Sequence, residues 1–189
     1  MKHFARFVNP LVFFFFTALP SIPEITICVF GYLGDNETAR EQWSESEKII
    51  HTNYTGAVSI LNLVAADYAL RKAGTIVGIS SVAGNRGRQS NYIYGSAKSA
   101  FTSYLSGLRN KLYHDKVHVM TVLPGFVYTK MTEHLKLPHL LTASPESVAE
   151  AIYNGVRTKR DVLYVKWFWK WIMLIITTIP ESIFKKKKL

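Results

Sequence analysis

A tyrosine and a lysine four residues apart, Tyr94 and Lys98, have the types and the spacing that proton transfer requires. On one helix face, an ammonium beside a phenol would favour the phenolate and lower the tyrosine pKa from its ordinary value of about 10. Such a phenol could exchange a proton with an alcohol or carbonyl oxygen. The spacing alone does not identify a site, because Tyr68 and Lys72 repeat it.

The surroundings distinguish the two pairs. Ser81 follows the predicted strand 75–80, and a glycine-containing loop leads from it to the predicted helix that carries Tyr94 and Lys98. Ligands of a parallel α/β sheet lie beyond the carboxyl ends of its strands. We therefore expect Ser81 to hold a substrate oxygen beside Tyr94. No strand end is offered to Tyr68, which we interpret as a structural surface tyrosine.

Strands and helices that could position these side chains alternate along the chain. Continuous β-branched and apolar runs predict buried strands, the first of them buried on both faces, and longer stretches between them predict helices. The predicted elements are strand 25–30, helix 44–72, strand 75–80, helix 91–114, strand 117–123, a helix that Ser144 caps and Pro145 opens, and strand 161–165. This alternation predicts a doubly wound, mostly parallel α/β sheet with right-handed crossovers.

Composition limits the classes of partner. The 189 residues are 48% apolar and 19% charged, which is typical of one globular domain. The net charge of +10 includes four lysines at 185–188, and no face interleaves basic and aromatic residues, so we expect no nucleic-acid partner and favour membrane phosphates. The lone Cys28 excludes an intrachain disulfide and a zinc thiolate pair, which fits a reducing, cytoplasmic compartment. The histidines are scattered, and we assign no metal site.

Ser81, the pair Tyr94 and Lys98, and a mid-helix asparagine, Asn53 in "HTNYTGAV", resemble the catalytic residues of the short-chain dehydrogenase/reductase family. The resemblance covers residues 24–165 and implies a Rossmann-like fold. It also implies hydride transfer between a nicotinamide cofactor and a ketone or secondary alcohol. In this family the tyrosine exchanges the proton and the serine orients the substrate. The resemblance implies that Asn53 and Lys98 sustain a proton relay through water.

A second motif, "LPGFVYT", resembles the family's Pro-Gly-x-x-x-Thr segment, which contacts the nicotinamide carboxamide. The residues that the resemblance implies for cofactor binding are Gly31, Tyr94, Lys98, Pro124, Gly125, Val127 and Thr129. "VFGYLGD" at 29–35 is most similar to a reductase group that acts on a polyprenyl-phosphate-linked keto-pentose, decaprenylphosphoryl-2-keto-ribose. That group implies a lipid-linked ketone and NADP rather than NAD.

The amino-terminal part departs from the family pattern. The family begins with a strand and a glycine-rich turn that holds the cofactor pyrophosphate, whereas the first glycine here is Gly31. The sequence therefore predicts a sheet that lacks the first βαβ units, and weak cofactor binding. The alternative to an oxidoreductase is a truncated, non-catalytic remnant or a membrane-associated interaction protein.

Residues 1–23 form an apolar segment that does not resemble the family. Without a preceding strand, the predicted strand 25–30 would be an apolar sheet edge, which invites pairing with other chains. The run 11–19 could cover this edge, and it also has the layout of a membrane signal, although it is too short for an ordinary span.

The last region, 166–189, predicts peripheral membrane binding. Its apolar run 171–179 is shorter than the roughly 20 residues of a membrane span, and Lys166 and Lys170 interrupt the aromatic stretch before it. Tryptophans suit the headgroup boundary, and the lysines at 185–188 suit an anionic surface at the inner face of the membrane. The alternative is a helix that packs on its own domain or on a sister subunit in a homo-oligomer.

Overall fold

The protein contains six strands, seven α-helices and shorter helical turns in the part that the computed structural model describes, residues 19, 23–133, 135 and 137–188. The strands are β1 Ile25–Cys28, β2 Thr75–Ile79, β3 His118–Leu123, β4 Phe126–Val127, β5 Thr142–Ala143 and β6 Val162–Tyr164. The helices are α1 Asn36–Glu41, α2 Trp43–Ile50, α3 Gly56–Arg71, α4 Tyr92–Leu112, α5 Pro145–Arg157, α6 Phe168–Thr178 and α7 Glu181–Phe184.

Four of the strands form one parallel sheet in the order β1-β2-β3-β6. Successive residues of its central strands face opposite sides. Ile76 and Val119 pack with α3 and α4 on one side, and Val77 and Met120 pack with α5 on the other. The predicted parallel α/β architecture with helices on both faces is confirmed. Strands β4 and β5 form a separate, short parallel pair that the sequence did not predict.

The first strand is less buried than we predicted. Ile25 and Ile27 are each 48% exposed, whereas Cys28 is buried. Among the described residues only β2 pairs with β1, and the face that carries the two isoleucines lines an open pocket. The prediction of a strand buried on both faces is therefore wrong. The cover proposed for this edge, the run 11–19, falls outside the described residues except at position 19.

The predicted helix 44–72 is interrupted near its middle. One π-helical turn, His51–Thr55, separates α2 from α3, and in it the Gly56 N–H donates to the His51 carbonyl. The amide of Asn53 in this turn donates to the Ile49 carbonyl at 2.8 Å. A π turn changes the helical repeat locally and often marks a functional position. A regular helical periodicity could not have predicted it.

The carboxyl-terminal region is partly integrated into the domain. Trp169 and Met173 of α6 are buried and pack with Val82 and Leu123. The predicted boundary at residue 165 therefore does not separate two cores, and the alternative of a helix packed on its own domain describes this face of α6. Among the described residues, no helix has the length and apolar character needed to cross a bilayer.

Candidate active site

A pocket of about 600 Å³ lies at the carboxyl ends of β1, β2 and β3 and continues over the exposed face of β1. Every predicted site residue except Asn53 lines it: Gly31, Ser81, Tyr94, Lys98, Pro124, Gly125, Val127 and Thr129. The pocket thus lies where a parallel α/β sheet presents its ligands.

Ser81 is held at the start of a short 3₁₀ turn, Val82–Asn85, and its hydroxyl accepts a hydrogen bond from the Ala83 N–H at 3.1 Å. This turn packs tightly on α4, because a Cβ on Gly84 would lie 2.7 Å from the Ser99 nitrogen. The neighbouring Ser80 has a structural role, since its hydroxyl donates to the Lys98 carbonyl at 2.9 Å. Both serines line the pocket. Ser80 is bonded to the α4 backbone, whereas no such bond engages Ser81 among the described residues.

Tyr94 is half-buried on the first turn of α4. Burial raises the pKa of Tyr94 to about 12, although a hydrogen bond with Ser81 opposes the rise. The prediction of a lowered pKa is therefore wrong for the protein without ligands. The physical reason is that desolvation of the phenolate dominates, while the Lys98 Nζ lies 5.8 Å from the centre of the Tyr94 ring.

Lys98 is 2% exposed, and its ammonium joins two strand ends. Nζ donates to the Phe30 carbonyl at 3.0 Å and to the Ile79 carbonyl at 3.1 Å. Burial lowers the pKa of Lys98 to about 8, with the nearby Cys28 acting in the opposite direction. An ammonium has three N–H donors. Within the described part of the chain, two of them are used, which leaves one for a ligand.

Asn53 is fully buried and binds a loop rather than the pocket. Its amide nitrogen donates to the Tyr32 carbonyl at 2.6 Å, and its amide oxygen accepts from the Tyr32 N–H at 3.3 Å. This pair of bonds fixes the chain next to Gly31, where an added Cβ would lie 3.3 Å from the Met131 Cε. The described residues show no hydrogen bond between Asn53 and Lys98, so the predicted relay between them stays a prediction. Tyr32 is a positioning residue that the sequence did not reveal.

The residues predicted to contact the nicotinamide, Pro124, Gly125, Val127 and Thr129, are called the nicotinamide wall below. The last region of the chain packs against this predicted wall on the side away from the pocket. The Pro124 carbonyl accepts from the Val82 N–H at 3.0 Å, and Gly125 lies directly against the Trp169 indole. Trp169 donates from Nε1 to the Leu141 carbonyl at 3.2 Å. The sequence assigned this tryptophan to a membrane-binding tail, and only the packing of α6 shows its contact with Gly125.

The wall continues through the β4–β5 pair. The Val127 carbonyl accepts a hydrogen bond from the Thr132 hydroxyl. Thr129 is exposed, and its N–H donates to the same hydroxyl at 3.2 Å. Both residues line the pocket, as do Pro124 and Gly125 of the predicted Pro-Gly-x-x-x-Thr segment.

The second tyrosine–lysine pair is structural, although not as we predicted. Tyr68 is fully buried, not a surface residue, and its hydroxyl bonds to the Thr26 hydroxyl at 2.8 Å. Lys72 ends α3 in the left-handed conformation with φ of 52° and is exposed. Neither side chain lines the pocket.

The residues present fit only one end of a dinucleotide. The pocket offers a buried ammonium, a phenol and a backbone wall at the position expected for nicotinamide and its ribose. None of the described strands is followed by a G-x-G-x-x-G turn, which is the usual holder of a pyrophosphate. The described residues also contain no group of three potential metal ligands.

Comparisons with known proteins agree with this geometry. A family profile described as short chain dehydrogenase matches residues 29–139. An uncharacterized oxidoreductase of Mycobacterium tuberculosis is 33% identical over 160 residues, which cover 85% of this chain and 64% of the relative's length.

Solved structures share the fold. A bulky-bulky ketone specific alcohol dehydrogenase from Comamonas testosteroni has a TM-score of 0.74 at 22% identity, over 92% of this chain and 70% of its own. A short-chain dehydrogenase from Sphingobium yanoikuyae in complex with NADPH has a TM-score of 0.74 at 20% identity, over 92% and 72%.

Proposed function

Because this chain belongs to the short-chain dehydrogenase family, we propose that it catalyses hydride transfer between a nicotinamide cofactor and a ketone or secondary alcohol. The observation that carries the proposal is the convergence of Ser81, Tyr94 and Lys98 in one pocket at the carboxyl edge of the sheet. A hydroxyl donor, a phenol and an ammonium at one place meet the requirements of proton exchange at a carbonyl oxygen.

In the reducing direction, Tyr94 gives its phenolic proton to the carbonyl oxygen while Ser81 donates a hydrogen bond to the same atom. A Tyr94 pKa of about 12 keeps the phenol protonated at neutral pH, as a general acid must be. The buried Lys98 ammonium stabilises the phenolate that remains, since a nearby opposite charge favours the charged form. In the oxidising direction, the phenolate takes the proton of the alcohol.

Reduced nicotinamide, when bound, supplies the hydride to the carbonyl carbon. The residues proposed to hold it are Gly31, Tyr94, Lys98, Pro124, Gly125, Val127 and Thr129. Lys98 has an N–H available for a ribose hydroxyl, and the backbone around Val127 can meet the carboxamide. We propose NADP as the cofactor, supported by the NADPH bound to the Sphingobium dehydrogenase of similar fold.

We expect the 189-residue chain to hold NADPH weakly. The described residues include those proposed for the nicotinamide wall but no glycine-rich turn for the pyrophosphate. A titration followed by NADPH fluorescence should therefore not saturate at micromolar concentrations. Micromolar affinity would contradict this expectation and would indicate a phosphate site made by other residues.

We propose a bulky, lipid-linked ketone as the substrate, of the polyprenyl-phosphate-linked sugar type. The pocket supports this class because its wall is mainly apolar, with Ile27, Val148 and Ile152 among the lining residues. The Comamonas dehydrogenase of similar fold is described as specific for bulky-bulky ketones. An enzyme for such a substrate would be a peripheral protein at the cytoplasmic face of a membrane.

Isotope transfer tests the reaction. The full chain, given millimolar NADPH deuterated at C4 and a panel of bulky ketones, should form alcohols that carry deuterium at the former carbonyl carbon. Tyr94→Phe should abolish this labelling. Tyr92→Phe, at an exposed position on the same helix turn, should leave it unchanged. Unlabelled product, or equal labelling by Tyr94→Phe and the wild type, would contradict the proposal.

The alternative of a non-catalytic remnant is less well supported. Ser81, Tyr94 and Lys98 line one pocket, and the lysine is buried with its ammonium at the strand ends despite the cost of burying a charge. A protein that only bound partners would have no physical need for this buried charge.

A further inference from the structure

Helix α6 has two apolar faces, one buried and one exposed. Its inner face, with Trp169 and Met173, packs into the domain. Its outer face, defined as Trp167, Trp171, Leu174 and Ile175, is turned away from the domain, with 51% to 74% of each residue exposed. The spacing of these four residues follows the helical repeat, so they form one continuous stripe.

Contacts at the end of α6 hold the outer face in a fixed orientation. Arg86, from the loop after the Ser81 turn, donates to the Ile176 carbonyl at 2.7 Å and to the Ile179 carbonyl at 2.6 Å. The same guanidinium pairs with Glu181 at 2.9 Å and lies over the Phe184 ring. These bonds satisfy carbonyls that a helix end leaves without partners. The outer face is therefore a preformed surface.

The charge around this face is positive. Residues 166–188 contain six lysines and one glutamate, and that glutamate already pairs with Arg86. Lys170 lies on α6 beside Trp171, with Nζ 5.8 Å from the ring centre. Tryptophan next to lysine is typical of a protein surface at the headgroup region of a membrane.

We infer that the outer face of α6, together with the surrounding lysines, is a docking surface for an anionic lipid bilayer. The inference rests on the proposed function, because a docking surface of this kind would be useful to an enzyme whose substrate is linked to a membrane lipid. The 11 residues of α6 extend about 16 Å, well short of the roughly 30 Å of a hydrocarbon core. The helix therefore lies in the plane of the membrane, with its outer face among the lipid chains and its lysines at the phosphates.

A second copy of this chain fits the surface less well. A two-fold contact through the outer face would bring the same side chains of both copies together. Lys170 of one copy would then approach the lysines of the other, and residues 166–188 contain no acidic side chain besides Glu181, which pairs with Arg86. Charge complementarity thus favours an anionic bilayer.

Vesicle co-sedimentation tests the inference. The wild-type chain should bind vesicles of phosphatidylcholine with about a third phosphatidylglycerol, and high salt should weaken this binding because exposed charges are screened. The double variant Leu174→Asp with Ile175→Asp should bind at least about tenfold more weakly, since it places charges among the lipid chains. The matched control, Leu70→Asp, changes a leucine that is 81% exposed on α3, and it should bind like the wild type.

Circular dichroism of the double variant checks that it is folded, and Trp171→Ala provides a milder change on the same face. Equal vesicle binding by the wild type and both outer-face variants, or no binding by the wild type, would overturn the inference. A wild-type dimer in gel filtration that the double variant dissociates, without vesicle binding, would assign the face to a second copy instead. None of these measurements needs cofactor or turnover. A failure of the docking inference can therefore be distinguished from a failure of the oxidoreductase proposal.

Discussion

The two tyrosine–lysine pairs lie at opposite ends of the same two strands, β1 and β2. Tyr68 contacts the amino-terminal side, where its hydroxyl meets Thr26 and its ring lies against Gly74 just before β2. Lys98 contacts the carboxyl-terminal side, where its ammonium meets the carbonyls of Phe30 and Ile79. The spacing of the two pairs is identical, and their surroundings are not.

The difference shows what turns a spacing into a site. At the amino-terminal side, a strand side chain satisfies the Tyr68 hydroxyl, and the partner Lys72 is in solvent. At the carboxyl-terminal side, the Tyr94 phenol faces a pocket, and its lysine is buried with one donor left over. Of the two pairs, only Tyr94 and Lys98 therefore line a pocket, and they do so at the carboxyl-terminal side of the strands.

The largest expected effect is on the rate of the proposed reaction. Tyr94→Phe removes the proton donor and should lower kcat/KM by at least about 10²-fold. Tyr68→Phe, at the other end of the strands, should leave kcat/KM within about twofold. Steady-state kinetics at high NADPH concentration measure both. Similar losses in the two variants would break the comparison.

The glycine beside each pair allows the next test. Gly84→Ala would press a Cβ to 2.7 Å from the Ser99 nitrogen and move Ser81 relative to Tyr94, so kcat should fall about tenfold. Gly74→Ala forces a side chain onto φ of +138° and onto the Tyr68 ring. It should cost about 2 kcal/mol of stability and leave kcat unchanged. Kinetics and thermal unfolding of both variants should show this division, and a loss of kcat in Gly74→Ala would contradict it.

Burial of Lys98 predicts a pH dependence of stability. The folded pKa is about 8, whereas an unfolded lysine titrates at about 10.4. Between these values the unfolded chain binds more protons, so the contribution of Lys98 to stability rises with pH. Relative to Lys98→Met, the wild type should gain about 2 kcal/mol of unfolding free energy from about pH 7 to about pH 9.5. Urea unfolding at each pH measures this gain, and parallel curves would exclude it.

The smallest effect is expected from the hydroxyl of Tyr68. Tyr68→Phe removes the bond to Thr26 and leaves the half-buried Thr26 hydroxyl without this partner. The expected loss of unfolding free energy is about 1 kcal/mol. Urea unfolding of Tyr68→Phe and of the double variant with Thr26→Val measures the coupling. Equal stability of Tyr68→Phe and the wild type would mean that water replaces the bond.

Local patterns were sufficient to predict much of the sheet and of the pocket. The strand runs, the Ser144 cap with Pro145 and the long helix that carries Tyr94 all appear within a few residues of their predicted bounds. Ser81 could be placed beside Tyr94 because the carboxyl ends of parallel strands share one edge. These inferences needed only neighbours along the chain and the rules of parallel sheets.

The features that could not be predicted from the sequence depend on contacts between residues far apart in the chain. The raised pKa of Tyr94 follows from burial by several elements, which the spacing to Lys98 does not report. The Asn53 amide is taken by Tyr32 across a loop, and Arg86 reaches the end of α6 from a different segment. The exposed face of β1 depends on what covers the sheet, which its own apolar sequence cannot indicate.

The contact between Gly125 and Trp169 links the variation of two distant positions. A Cβ at position 125 would occupy the space of the indole, and Trp169 cannot turn aside because it is buried and donates to Leu141. Alanine at position 125 is therefore tolerated only with a smaller ring at position 169. Substitutions at the two positions should therefore occur together among relatives, so that a residue of α6 limits which residues can stand at position 125 of the proposed nicotinamide wall.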